Sequence, residues 1–276
     1  MSLFFASLNS GSNGNCYYVG NKREAVLVDC GISCRETEIR MNRLGLSLKK
    51  VRALFVTHEH FDHTKGIAVL SKKYQIPVYI TTLTLQQARL RLKPHLISTL
   101  KPYAPVTLGD LTITAFPKQH DAVDPLSVIV ANGENKVGVI TDIGIACADV
   151  IKNFAQCQAA FLESNYDEHM LDTGPYPMPL KNRIRGGQGH ISNREAANLF
   201  KQHKPKFMSH LILSHLSEHN NTPAIVENLF KPIAGNTQVV VATRYRETEL
   251  FFTEGGEQKI VRKAINGKQA QLSLFQ

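Results

Sequence analysis

Short apolar runs alternate with amphipathic or polar segments along this chain, which predicts strands interleaved with helices. The runs that predict strands lie at 25–28, 51–56, 77–81, 111–116, 136–141, 159–162 and 211–214. Helices are expected near 36–44, 65–74, 84–93 and 192–202, and again from Pro223. The pattern alone indicates the mixed α/β (α+β) class, and 276 residues suit one large domain.

A cluster of histidines follows the second of these strands. His58, His60, Asp62 and His63 fall within six residues, directly after the apolar run 51–56. In an extended segment His58 and His60 point to the same side, so both imidazoles can bind one ion. Asp62 and His63 lie where the chain turns into a helix and can face a second ion. Imidazole with carboxylate suits zinc, manganese or iron. A loop of solvated histidines would not require this spacing.

Other polar residues stand at the ends of predicted strands. Asp29, His120, Asp142 and His215 each come at or just after the last residues of an apolar run. A buried carboxylate such as Asp29 needs hydrogen-bond partners, so it is either a turn former or a group that orients metal ligands. A lone histidine at such a place is more often structural, so position alone does not decide the role of His120.

The His-x-His-x-Asp-His segment resembles the signature of the metallo-β-lactamase superfamily. The resemblance implies a single-domain, four-layer αββα sandwich over residues 1–254, with the metal site at one edge of the two sheets. It implies two divalent ions, zinc or manganese, and an orienting role for Asp29. Asp142 stands where di-zinc β-lactamases carry cysteine, which argues against antibiotic hydrolysis. The implied ligands are His58, His60 and His120 for one ion, Asp62, His63 and His215 for the other, and Asp142 as the bridge.

Two further segments imply an acid–base pair. Glu163 in Phe-Leu-Glu-Ser and His190 in Gly-His-Ile-Ser resemble elements of the tRNA 3′-processing endonucleases (tRNase Z), where a Glu and His pair assists leaving-group protonation. Leu162 replaces the histidine of the first element, so the substrate is expected to differ. The residues that the resemblance implies to be catalytic are Asp62, Glu163 and His190.

Four longer segments narrow the resemblance to one group. Ser-Gly-Ser-x-Gly-Asn-Cys-Tyr, Leu-Glu-Ser-Asn-Tyr-Asp, Gly-His-Ile-Ser-Asn and His-Leu-Ser-x-x-Asn-Asn are similar to segments of the YycJ/WalJ group. That group comprises bacterial duplex-DNA 5′-to-3′ exonucleases associated with mismatch repair. The resemblance therefore implies a metal-dependent phosphodiesterase acting on duplex DNA ends. An RNA nuclease or a cyclic-phosphodiester hydrolase of the same fold would share every ligand, and an adaptor that has lost its metal is a third possibility.

Basic residues suggest where nucleic acid would bind. The chain has 32 Lys plus Arg against 23 Asp plus Glu, a net charge of +9, which suits a polyanionic partner. Segment 166–189 is rich in Pro and Gly and is expected to be a loop or lid whose cations and tyrosines contact phosphates and bases; a solvated surface loop is the alternative. Its expected contacts are Lys181, Arg183 and Arg185, with Tyr166 and Tyr176. Arg89, Arg91 and Lys93 form either a solvated helix face or further phosphate contacts.

The ends of the chain and its cysteines bear on location and partners. Five scattered cysteines without Cys-x-x-Cys, no membrane-length apolar run and no signal-like N-terminus favour a cytoplasmic protein that does not contact a membrane. Residues 255–276 are expected to be a flexible tail. Within it Gln271, Leu272, Leu274 and Phe275 resemble the pentapeptide by which bacterial repair proteins bind the sliding clamp. Folding back onto the domain is the alternative for these residues.

Overall fold

Each half of the chain builds one sheet. The computed structural model describes residues 2–253, and in it both sheets have seven strands. The first sheet contains β1 (Phe4–Asn9), β2 (Cys16–Gly20), β3 (Ala25–Val28), β4 (Val51–Phe55), β5 (Val78–Ile80), β6 (Ile97–Thr99) and, from the end of the described range, β14 (Phe251–Phe252). The second contains β7 (Val106–Leu108), β8 (Leu111–Pro117), β9 (Leu126–Asn132), β10 (Asn135–Ile140), β11 (Ala159–Glu163), β12 (His210–Ser214) and β13 (Gln238–Val241).

Strand order explains why the polar strand ends meet. The first sheet runs β14-β1-β2-β3-β4-β5-β6 and the second β13-β12-β11-β10-β9-β8-β7. Strands β3 to β6 are mutually parallel, as are β10 to β13. Neighbouring parallel strands end at the same edge, so the residues that follow them are brought together there.

Helices cover the outer faces, giving four layers. They are α1 (Cys34–Arg43), α2 (Phe61–Thr64), α3 (Ile67–Tyr74), α4 (Thr82–Ala88), α5 (Ala148–Phe154), α6 (Glu168–Thr173), α7 (Met178–Arg185), α8 (Asn193–His203) and α9 (Pro223–Phe230). One apolar core lies between the sheets and includes Phe5 and Phe161, which meet edge to face. Two more cores lie between each sheet and its own helices. The predicted αββα sandwich is confirmed, and no helix in the described range could cross a membrane.

Several local predictions need correction. The helix expected over 84–93 ends at Ala88, because Arg89 adopts a left-handed φ of 51°, so Arg91 and Lys93 do not continue its face. The segment 166–189 is not an open loop, since it forms α6 and α7. Strand β9 was missed, although Leu-Ser-Val-Ile-Val is an apolar run typical of a buried strand.

Candidate metal centre

The site lies where strands of both sheets end. Asp29 follows β3, His58 follows β4, Asp142 follows β10 and His215 follows β12. Asp29, Asp142 and His215 have left-handed φ values of 58°, 54° and 57°. Such a conformation costs a non-glycine residue on the order of 1 kcal/mol and tends to occur at functional sites. In each case it turns the chain sharply at the end of a strand.

One group of ligand atoms consists of three imidazole nitrogens. His60 Nδ1 lies 3.1 Å from His58 Nε2 and 3.3 Å from His120 Nε2. Zn–N bonds of 2.0–2.1 Å in a tetrahedron place ligand nitrogens about 3.3 Å apart. Both distances from His60 Nδ1 therefore match the spacing of ligands around a tetrahedral divalent ion, and all three nitrogens lie within 4.8 Å of one another.

Hydrogen bonds to the other ring nitrogens settle two tautomers of this group. Thr57 Oγ1 donates to Asp29 Oδ2 at 2.7 Å, so it accepts from His58 Nδ1, which lies 2.9 Å away. His120 Nδ1 donates to the carbonyl of Gly189 at 2.8 Å. In the neutral rings both Nε2 atoms then carry lone pairs directed towards His60, as metal ligation requires.

A second group combines two carboxylates with two imidazoles. His63 Nε2 lies 3.6 Å from Asp62 Oδ2 and 3.3 Å from Asp142 Oδ2. His215 Nε2 lies 3.5 Å from the same Asp62 oxygen and 3.4 Å from Asp142 Oδ1. Asp142 Oδ1 also lies 4.0 Å from His120 Nε2 of the first group, so this carboxylate stands between the two groups, as a bridging ligand would.

Asp142 also shows that the site fits a cation. Its Oδ2 is buried and accepts no hydrogen bond from the described residues. Its contact with His63 Nε2 at 3.3 Å is an ion pair without hydrogen-bond geometry, so a bound cation would give this oxygen the direct partner that it lacks. Together with the imidazole and carboxylate donors around it, this unsatisfied oxygen indicates a divalent metal site.

Asp29 forms hydrogen bonds that reach residues of both groups. Its Oδ2 accepts from His63 Nδ1 at 2.7 Å and from the Thr57 hydroxyl, which holds the ring of His58. Its Oδ1 accepts from the Thr57 backbone N–H at 2.8 Å. One buried carboxylate therefore sets the ring positions of His58 and His63.

The small-residue loop 10–15 forms an edge of the site. Asn15 Oδ1 accepts from the Gly11 N–H and from the Tyr17 hydroxyl, which leaves the amide Nδ2 facing the ligands. That Nδ2 lies 3.1 Å from Asp62 Oδ2 and 3.0 Å from His63 Nε2. These contacts place the loop beside the second group of ligand atoms.

Two other polar residues hold the final histidine. Ser10 Oγ accepts from the His215 backbone N–H at 2.8 Å. Asn165 Nδ2 lies 3.1 Å from His215 Nδ1 and donates to the His215 carbonyl at 2.8 Å. These bonds stabilise the left-handed turn that presents the imidazole.

Burial keeps two histidines of the first group neutral. It lowers the pKa of His58 well below its usual value and lowers the pKa of His120 to about 4. A neutral imidazole is the form that binds metal. At neutral pH a cation would therefore not compete with protons on these two rings.

Carboxylates have the opposite effect on the second group. Burial alone would lower the pKa of His63 and His215, but Asp142 and Asp62 outweigh it. The pKa of His63 is raised well above its usual value and that of His215 is raised to about 10. In return, the positive charges hold the pKa of Asp142 well below its usual range despite its burial. In the absence of metal these rings carry protons at neutral pH.

This difference predicts that metal stabilises the protein more as the pH rises. In the metal-free chain, His215 contributes stability fully below pH 6.5, and that contribution is lost as the pH rises through about 10. A metal ion must displace the same protons, so it binds more weakly at low pH. The gain in the thermal midpoint on adding zinc or manganese is expected to be larger by several degrees at pH 8.5 than at pH 6. An equal gain at both values, measured by calorimetry against chelator-treated protein, would contradict this assignment.

Glu163 connects the second group to His190. Glu163 Oε1 lies 2.7 Å from His190 Nδ1 and 3.1 Å from His215 Nδ1, and its Oε2 accepts from the Ile143 N–H at 2.7 Å. Burial would raise the pKa of Glu163, but the nearby His190 and His215 lower it, so it is ionised. His190 donates from Nδ1, and its Nε2 remains for the cavity that the side chain lines.

That cavity has a volume of about 270 Å³. Of the five residues expected to contact nucleic acid, Arg183 and Tyr176 line it. Arg183 lies on its wall and forms an ion pair with Asp121, whose other oxygen is 3.4 Å from His120 Nε2. Tyr176 also lines it, half-buried.

Three expected nucleic-acid contacts are placed elsewhere. Lys181 is buried, and its Nζ donates to the Asp172 carbonyl at 2.7 Å, so it holds α6 and α7 together. Arg185 forms an ion pair with the Asp172 carboxylate at 2.7 Å and does not line the cavity. Tyr166 is buried and cannot stack on a base. Lys181 and Tyr166 are therefore buried in the packing of the segment, whereas Arg185 remains exposed outside the cavity.

Sequence reasoning missed three residues of the site. Asn15 and Asn165 contact ligand residues through single amide groups. Both belong to segments that carry the family resemblance, but neither was assigned a role of its own. Lys118 lies two residues before His120; it is buried, and its Nζ donates to the Thr141 carbonyl at 2.8 Å. Burial lowers the pKa of Lys118. A lysine at the end of an apolar strand was the available signal.

Known proteins resemble this chain in sequence and in fold. Residues 24–216 match the family model of the beta-lactamase superfamily domain. Exodeoxyribonuclease YycJ of Bacillus anthracis is 36% identical over 80% of this chain and 85% of its own length. Exodeoxyribonuclease WalJ of Streptococcus pneumoniae is 28% identical over 79% of this chain and 82% of its own length.

Among solved structures, the metallo-β-lactamase fold protein YhfI from Bacillus subtilis superposes with a TM-score of 0.69. It is 20% identical and covers 92% of this chain and 99% of its own, which supports the fold alone. The match to the family model, the identity to YycJ and the cluster of ligands agree. The chain therefore belongs to the beta-lactamase superfamily, in its YycJ/WalJ group, and is a metal-dependent hydrolase.

Proposed function

We propose that this protein is a nuclease that hydrolyses phosphodiester bonds at the ends of duplex DNA in the 5′-to-3′ direction, in DNA repair. The observation that carries the proposal is the pair of ligand groups joined by Asp142, in a chain similar over most of its length to proteins named exodeoxyribonucleases. Two divalent ions, zinc or manganese, bound there would activate water and neutralise charge on the phosphate.

The ligand residues have distinct tasks in this proposal. His58, His60 and His120 would hold one ion and Asp62, His63 and His215 the other, with Asp142 between them. Asp62 is a candidate for the catalytic role as well, because it is half-exposed and lines the cavity. Its carboxylate is fixed by Asn15 and does not need to reorient during the reaction.

His190 is the candidate general acid. Glu163 holds its Nδ1, so Nε2 can give a proton to the oxygen that leaves phosphorus. The carboxylate of Glu163 also keeps the ring in place for that transfer. The same carboxylate contacts His215, so the proton donor is placed next to the second group of ligands.

Arg183 is the candidate phosphate contact. Its guanidinium is on the cavity wall and largely exposed, and Asp121 holds its Nε. The remaining guanidinium N–H groups can bind phosphate oxygens. The net charge of +9 would favour the approach of a polyanionic strand.

The substrate is tested with purified protein, manganese or zinc, and duplex DNA labelled at the 5′ or the 3′ end. We expect the 5′ label to be released as a mononucleotide before the 3′-labelled strand is fully degraded. Release from the 3′ end would reverse the proposed direction. If the protein cleaved RNA or a cyclic phosphodiester but not DNA, it would still be a hydrolase, and the assignment of DNA as its substrate would be wrong.

The C-terminal peptide gives a separate prediction about partners. Gln271–Phe275 lies outside the described residues, and its proposed role is to bind the bacterial sliding clamp. Deleting it is expected to abolish binding to immobilised purified clamp in surface plasmon resonance. Cleavage of short duplexes without clamp is expected to stay within about twofold. If the shortened protein bound the clamp as well as the full chain does, or if the full chain did not bind it at all, the proposed role of this peptide would be refuted.

A further inference from the structure

Phe61 is a large apolar side chain between two residues that line the cavity, His60 and Asp62, and is not itself part of the lining. It is 72% exposed, at the first position of α2. Its neighbours His60 and Asp62 both line the cavity, so the backbone of the metal motif fixes where the ring stands. The proposed metal chemistry does not use this side chain.

The surroundings of Phe61 combine positive charge with apolar surface. Lys65, one helical turn on and itself exposed, has its Nζ 5.9 Å from the ring centroid. Val123 is 45% exposed, and its backbone N–H donates to Glu59 Oε1 at 2.8 Å. On another wall Tyr176 and the Arg183 guanidinium line the cavity. Aromatic rings beside cations are the pattern by which proteins hold single nucleic-acid strands.

The size of the cavity determines where a base would go. About 270 Å³ lies below the roughly 300–1,000 Å³ of pockets that enclose whole drug-sized ligands. A phosphate at the ligand groups would fill the floor of the cavity, and its base would remain at the rim. Phe61 is a largely exposed ring that directly adjoins two of those ligand residues, His60 and Asp62, along the chain.

We propose that Phe61 is a stacking platform for a nucleobase adjacent to the scissile phosphate. This inference rests on the proposed nuclease function and deepens it by assigning a binding site for one base of the strand that is cut. Stacking tolerates any base, because each base has a π face, so the contact would support processive trimming without sequence preference. Lys65 would contact the backbone phosphate beside the stacked base.

The test compares binding of a short fluorescent single-stranded DNA by metal-free protein, measured as anisotropy. Phe61→Ala is expected to weaken binding about tenfold, the typical value of one base–aromatic stack. Phe61→Trp is expected to keep the affinity. Phe61→Leu, apolar but without a ring face, is expected to lose most of it. With an oligonucleotide that carries abasic sites in place of bases, the Phe61→Ala variant and the parent protein are expected to bind with the same affinity.

A matched control is Phe207→Ala. Phe207 is 57% exposed but lies before β12, at the end of that strand opposite His215. Its replacement is expected to leave the affinity unchanged. Steady-state cleavage of duplex DNA adds a second measure, in which Phe61→Ala should raise KM more than it lowers kcat.

Each other outcome is decisive. If Phe61→Ala binds as the parent does, if Phe207→Ala has an equal effect, or if Leu serves as well as Trp, the stacking role is wrong while the nuclease function stands. If the parent binds and cleaves no nucleic acid, the proposed function fails with it.

Discussion

Replacing His60 with alanine is expected to lower kcat/KM on duplex DNA by about 10⁴-fold, well beyond the roughly 10- to 100-fold lost when an outer partner of a ligand is removed. His60 Nδ1 lies within 3.3 Å of both other nitrogens of its group, so its loss breaks that group directly. The imidazole is only half-buried, so the fold should survive. The measurement is initial rate against metal content per chain.

His95→Ala is the matched control for this variant. His95 is exposed, and its Nε2 reaches only Gln75, 3.3 Å away, among the hydrogen bonds of the described residues. It should keep full activity and full metal content. A His60→Ala protein that binds both ions and cleaves DNA at the parent rate would remove His60 from the ligands.

His190→Ala is expected to lower kcat on DNA by about 10²- to 10³-fold, the range for losing a general acid. The metal content should change little, because Asp62, His63 and Asp142 keep the contacts of the second group. The decisive comparison is a nitrophenyl phosphodiester, whose leaving group departs without a proton. On that substrate the loss should be less than about tenfold.

Glu163→Gln serves as the companion of that variant, since it keeps the size of the side chain and removes its charge. It should lose activity on DNA too, because it removes the carboxylate that accepts a hydrogen bond from His190 Nδ1, 2.7 Å from Oε1. If His190→Ala lost activity equally on both phosphodiesters, His190 would be acting in binding and not as an acid.

Residue types and spacing predicted the parts of the site that local chemistry determines. His58 and His60 lie in the connection after β4, and Asp62 and His63 lie in α2 directly after it, so their proximity follows from the segment itself. The αββα sandwich and the roles of Glu163 came from the resemblance, because periodicity alone indicates only an α/β chain. His120, Asp142 and His215 belong to three different strand ends, and their convergence needs the order of the strands.

What could not be predicted depends on contacts distant in sequence. Lys181 stands in a basic segment, yet α6 and α7 pack so that its amine meets the Asp172 carbonyl. Asn15 holds Asp62 across 47 residues, and nothing in the local sequence marks that pair. A side chain's neighbours at such separations follow from tertiary packing, which overrides the preferences of the segment itself.

The most direct test of a two-metal phosphodiesterase is a titration of chelator-treated protein with manganese or zinc, following bound ions and cleavage of labelled duplex DNA in the same samples. Two ions per chain and cleavage that appears only as they bind are expected. Cleavage by protein that retains no metal, or full metal binding with no hydrolysis of any phosphodiester, would contradict the account.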